Sequence, residues 1–120
     1  MCKSSEPAGY IGHYLALIMR QGSDFVLRII LTEEDGETPF DATGFTARAH
    51  MSNGKTRTAI AANFEPGGVL VLSKPASETT LLKAGSLSDS LGSYEWDCEF
   101  LHGQEVVPAF YGPVTVVKDI

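Results

Sequence analysis

Three carboxylates alternate within one short run, Glu95, Asp97 and Glu99 in YEWDCEF. In an extended chain residues two apart share a face, so all three acids project together. General acid–base chemistry would need one of them held in a cleft with a raised pKa, near an ionised partner. A row of like charges on one strand reads instead as a solvated face, or as a surface that meets cations on a neighbour. Should His50 meet Asp97 across strands, a base-orienting pair is conceivable, though a cross-strand polar contact explains the same geometry. His13, His50 and His102 carry no HxH or HExxH spacing, and a zinc site requires three or four convergent ligands. Residues 33–37 (EEDGE) gather Glu33, Glu34, Asp35 and Glu37. They lack the alternating acidic spacing of a calcium loop and read as a solvated turn. Nucleophile elbows, phosphate-cradling glycine loops and Cys/His pairs are missing from the sequence. The expectation is a protein that is not an enzyme, with no cofactor and no metal.

Aromatic side chains form the more informative class. Tyr10, Tyr14, Phe40, Phe64, Phe110 and Tyr111 fall at or beside strand ends and loops. Clustered at one end of a sandwich, such groups could stack on a sugar or anchor a protein partner. With Ile11 added and Phe64 set aside, the candidate partner-binding set is Tyr10, Ile11, Tyr14, Phe40, Phe110 and Tyr111. Trp96 sits mid-strand and is expected in the core.

The elements that position these groups are almost all strands. Residues 13–20 are read as a first strand, because Gly22 interrupts any helix there. Residues 23–32 alternate with Phe25, Leu27, Ile29 and Leu31 inward, and Val26 and Ile30 on the other face imply that this side is covered in part. Residues 44–51 form a third strand, followed by an Asn53-Gly54 turn of type I′ character. Residues 55–62 return as a weaker strand, and residues 69–72 are a short apolar one ended by Pro75. Residues 77–82 are the best helix candidate, with Ser77 as N-cap and Gly85 as its stop. Residues 94–101 alternate strictly, His102-Gly103 is a tight turn, residues 105–111 pair back, and residues 113–117 end the chain. Seven or eight strands with turn signals every eight to twelve residues predict an all-β, immunoglobulin-like antiparallel β-sandwich. Residues 1–12 read as an extended N-terminal arm and residues 13–120 as a single domain.

Composition sets the outer bounds. At 120 residues and 43% hydrophobic content the chain suits one core. Nine Lys and Arg against fifteen Asp and Glu leave a net charge of −6, and without a basic stripe nucleic acid is not the expected partner. The apolar run at residues 14–19 falls far short of the roughly 20 residues that span a bilayer. Residues 4–12 contain no signal-peptide h-region. No membrane partner is expected, and the chain is expected to fold in a cytosol. Cys98 reads as a small buried hydrophobe and not as a disulfide partner of Cys2.

The order of parts also carries a resemblance. A Gly-Ser-Asp-Phe start at residues 22–25 is followed by the acidic turn at 34–36 and by DATGFTARA at 41–49. A Gly-x-Leu strand at 68–72, a Thr-rich segment ending in Ala-Gly at 79–85, YEWDCE at 94–99 and a Gly-x-Val strand at 112–117 complete the set. In this order they resemble a small β-sandwich module of tailed-bacteriophage structural proteins, found at the N-terminus of baseplate upper proteins and tail-fibre attachment proteins. The match spans most of residues 21–117. The loop at 86–92 is longer than that pattern, and no fibre or coiled-coil extension is expected after the sandwich.

The resemblance implies an adaptor, hub or head-decoration (cement) subunit and no catalytic residues. Its implied partners are other virion structural proteins (capsid, tail or baseplate subunits) and further copies of itself, in a virion assembled in the host cytoplasm. The competing reading is a carbohydrate-binding or host-adhesion module.

Overall fold

The alternating apolar runs build two packed β layers. The computed structural model describes residues 12–84 and 93–118. The arm up to Ile11, Gly85 and the loop at 86–92 therefore lie outside the described residues. Eight strands are described: β1 (His13–Tyr14), β2 (Leu17–Arg20), β3 (Phe25–Ile30), β4 (Phe45–Ser52), β5 (Arg57–Glu65), β6 (Val69–Lys74), β7 (Ser93–His102) and β8 (Glu105–Val117). One short helix, α1 (Ala76–Thr79), lies between β6 and β7. The hydrogen-bonded order is β1-β8-β7-β4-β5-β6-β3, with β2 also on β8.

β5 belongs to both layers. It pairs with β4 up to Ile60 and with β6 from Ala61 onward, so the chain bends across the sandwich at that point. One layer is β1/β2-β8-β7-β4 with the first part of β5, and the other is the rest of β5 with β6 and β3. The fold is an immunoglobulin-like β-sandwich. One junction departs from the antiparallel expectation, because β1 and β2 run parallel to β8.

Alternation places the core. Met19, Met51, Cys98, Phe100, Val114 and Val116 fill it from one layer, and Leu70 and Leu72 from the other. Each such large apolar side chain contributes about 1.5–3 kcal/mol through burial. Trp96 is buried as its mid-strand position implied.

The first strand is split where the last one lacks a donor. Leu15 N–H donates to Tyr111 O (2.8 Å). In a parallel ladder continuing from that bond, Leu15 O would accept from residue 113. Position 113 is proline, which has no N–H. Trp96 Nε1–H supplies the bond instead, at 2.8 Å. Gly112 makes this close approach possible, since a Cβ there would lie 2.3 Å from Leu15 O. The two segments read separately at 105–111 and 113–117 are one continuous β8. Its register shifts where Cys98 faces Phe110 and Glu99 faces Pro108, so Ala109 is the extra residue of a β-bulge.

Two turns differ from expectation or refine it. Among the described residues no non-glycine has a positive φ, so Asn53-Gly54 is not type I′. Ser52 pairs with Arg57 across a four-residue loop, in which Asn53 Oδ1 accepts from Lys55 N–H (2.9 Å) and Thr56 N–H (2.8 Å). The β7–β8 hairpin closes on two residues, with Gly103 at φ 62°, as a type II′ turn requires at its first central position.

α1 is shorter than residues 77–82 and starts earlier. Ser77 does not cap it; Pro75 occupies the N-cap without a side-chain bond. Asp24 Oδ1 accepts from Ala76 N–H at 2.7 Å, reaching from the start of β3. Thr79 is fully buried, accepts from Gly22 N–H (3.1 Å) and donates to Ser23 O (2.8 Å). These bonds fasten the helix to the β2–β3 turn.

Candidate docking surface

The outer face of the β8-β7-β4-β5 layer holds the polar groups singled out in the sequence. The register sets His50 opposite Asp97, which in turn faces Tyr111. Ser52 lies opposite Glu95 and beside Arg57, and Arg48 Nε donates to Glu99 Oε1 at 2.8 Å. His50, Ser52, Arg57, Glu95, Asp97 and Tyr111 line a shallow depression of about 350 Å³. It is an open surface and not a cleft that would hold one carboxyl away from water. Glu99 on β7 stands beside Arg48 on β4, the cross-strand arrangement of a solvated sheet face.

The histidines do not converge. His13 packs against Phe110 (6.0 Å between ring centres), and His102 against Phe45 (4.5 Å). Among the described residues no group of three or more His, Cys, Asp or Glu could hold a metal ion.

The acidic turn is organised by its own backbone. Asp35 accepts from Glu37 N–H (2.9 Å), Thr38 N–H (2.8 Å) and the Thr38 hydroxyl. These bonds hold its carboxyl down to about 2, with the Thr38 hydroxyl the largest cause. Asp41 is held below the usual carboxylate range in the same way by Thr43. A depressed folded-state pKa gives stability that is present above the ordinary value of 3.8 and lost as pH falls through about 2. Substituting Thr38→Val should move the Asp35 carboxyl titration up toward 3.8 in an NMR pH series.

Cys98 is the described thiol, free and fully buried. Burial first, then the charges of Asp97 and Glu99, push it up to about 12. Only a thiolate attacks disulfide reagents. In a Cys2→Ser background, native protein should therefore leave Ellman's reagent unreacted until denaturant is added.

The aromatic set divides three ways. Tyr10 and Ile11 lie outside the described residues. Phe40 and Phe110 are core residues and not surface ones. Phe40 packs on Phe45 (5.2 Å), Phe64 (6.1 Å) and Phe100 (6.1 Å), while Phe110 stacks on Trp96 (6.2 Å). Loop position placed them near the surface, but each is buried. Tyr14 and Tyr111 remain, meeting edge to face at 5.7 Å across the β1–β8 pair, with Tyr14 65% exposed.

The feature that sequence reading missed is the border strand β3. Val26 and Ile30 were expected to be partly covered, yet they are 54% and 77% exposed. Among the described residues β3 ends the strand order and pairs only with β6. Leu31 N–H donates to Gly68 O, and antiparallel bonds alternate along a pair. The N–H and C=O groups of Val26, Arg28 and Ile30 therefore point away from β6, toward the open side. On the outer face of the layer, half-buried Val69 and Val71 of β6 continue this apolar surface.

No family model matches the chain, and no curated protein matches it. Among solved structures, the BTLA ectodomain is similar, with 14% identity over 89% of this chain and 94% of that one and a TM-score of 0.48. The extracellular domain of the voltage-gated sodium channel β4 subunit is also similar. It is 11% identical over 96% of this chain and all of that one, with a TM-score of 0.44.

Proposed function

We propose that this protein is a non-enzymatic structural subunit of a tailed-bacteriophage virion. It acts as an adaptor, hub or head-decoration piece that docks neighbouring subunits through its sheet borders and residues 1–12. The observation that carries this reading is the bare β3 border, where outward backbone groups lie beside exposed Val26 and Ile30. An apolar border strand of this kind pairs with other chains unless it is covered. The order of motifs over residues 22–117 supplies the virion class. The scattered histidines and the open carboxylate row on β7 favour docking over catalysis.

A glycan-binding role draws less support. It wants a flat aromatic platform, whereas Tyr14 and Tyr111 meet at 80° and Trp96 is buried.

Deleting residues 2–12 tests the docking role. The shortened chain should keep the circular dichroism spectrum of the full chain and fail to enter particles. Normal incorporation would contradict the proposed role of that segment.

A further inference from the structure

We propose that β3 is a self-association border: two copies pair their β3 strands antiparallel about a two-fold axis through Val26. The two three-stranded layers then join into one continuous sheet. This deepens the docking role proposed above and rests on it, by naming the border used and its occupant, a second copy of this chain.

Three observations carry it. First, β3 is regular, and among the described residues nothing pairs with its open side. It runs six residues, FVLRII, without the proline or bulge that often blunts a border strand, and Arg28 is its one charged residue. The opposite border is different in kind. There β1 and β2 have two and four residues, interrupted where Trp96 takes the Leu15 carbonyl.

Second, the outward groups select the register. Only even-numbered residues, Val26, Arg28 and Ile30, present backbone groups to the open side, so a hydrogen-bonded pairing must match even positions to even positions. A two-fold at Arg28 would set that guanidinium against the partner's Arg28, and one at Leu27 would set Asp24 against the partner's Ile30, both unfavourable. Moving the axis to Val26 sets Val26 against the partner's Val26 and Asp24 against the partner's Arg28, twice. Asp24 is exposed and spends Oδ1 on Ala76 N–H, which leaves its second oxygen for that contact. Arg28 is also exposed, with a 3.4 Å contact to Glu65.

Third, the same register covers the inner face. Phe25 falls opposite the partner's Leu27, and both are merely half-buried within a single copy. Pairing places each against an apolar neighbour. An isologous contact of this kind closes on itself and does not propagate into a filament.

Sedimentation equilibrium on the full chain, across micromolar to submillimolar concentration, is the test. The wild type should dimerise reversibly. Val26→Pro removes an N–H that bonds nothing within the described fold, so circular dichroism should be unchanged while the dimer dissociation constant rises at least about tenfold. Arg28→Glu should weaken the dimer similarly, and it decides the matter if Val26→Pro fails to fold. In a Cys2→Ser background, Val26→Cys should oxidise to a covalent dimer, since directly opposed residues sit at disulfide distance. A wild type that stays monomeric throughout would overturn the proposal, as would a dimer indifferent to both Val26→Pro and Arg28→Glu. Dimerisation that appears only after residues 2–11 are deleted would also overturn it, because the chain's own leading segment would then be the occupant of β3. These outcomes are separable from the virion reading. A monomer found in particles sinks only the β3 pairing, and a dimer absent from particles sinks only the virion assignment.

Discussion

Replacing Lys74 with methionine should destabilise the fold by about 2–4 kcal/mol, although the substitution keeps an apolar stem of similar length. Lys74 lies on the inner face of β6 in the parity of Leu70 and Leu72, and its side chain is 1% exposed. Its ammonium donates to Thr58 Oγ1 (2.9 Å), Ala59 O (2.6 Å) and Glu78 Oε1 (3.1 Å), joining β5, β6 and α1. Methionine would leave Thr58 Oγ1 and the Ala59 carbonyl without this donor, at a place that is only part-buried. A buried acceptor stripped of its partner costs about 1–3 kcal/mol. Glu78 is half-exposed and returns to water, so its share is small. Urea denaturation reads the result as a lower midpoint at unchanged slope. Lys74→Ala should cost more, because the stem's packing is lost as well.

Gly112→Ala should be nearly as damaging, at about 3 kcal/mol, which for a domain of this size lowers the melting temperature by about 10 °C. The added Cβ would lie 2.3 Å from Leu15 O and 2.9 Å from Leu15 C. Both are backbone atoms, so relief requires the β1–β2 junction to lift off β8. That movement also breaks the Trp96–Leu15 bond (2.8 Å). Trp96 is the chain's one tryptophan, so its emission reports the site without ambiguity. The variant should show a red-shifted spectrum before global unfolding. Gly103→Ala is a useful contrast, since no atom lies within 4 Å of a Cβ there and only its positive φ is strained.

Strands whose two faces differ in polarity were legible residue by residue. In β7 the acids Glu95, Asp97 and Glu99 alternate with Tyr94, Trp96, Cys98 and Phe100, and the structure keeps that alternation throughout. β4 follows for the same reason. Lys74 was legible in principle, since it continues the inward parity of Leu70 and Leu72, but its charge argued for the surface. Only the placement of Thr58, Ala59 and Glu78 reverses that argument. Of the two prolines of β8, Pro113 read as the start of a separate strand and Pro108 fell inside one. Pro108 is accommodated beside a bulge and Pro113 opposite a gap that Trp96 fills. The second compensation is not local in sequence. Coverage of a face was the least legible property. Phe40 and Phe110 are buried by distant strands, while Val26 and Ile30 lack any such neighbour among the described residues. Their apolar character says only that something should cover them.

Mass spectrometry of density-purified tailed-phage particles, produced in cells that make this chain, tests the proposed structural role most directly. The chain should co-purify in a fixed ratio to the major capsid or tail protein and resist high-salt washing. Its absence from purified particles, while abundant in the surrounding lysate, would contradict the account.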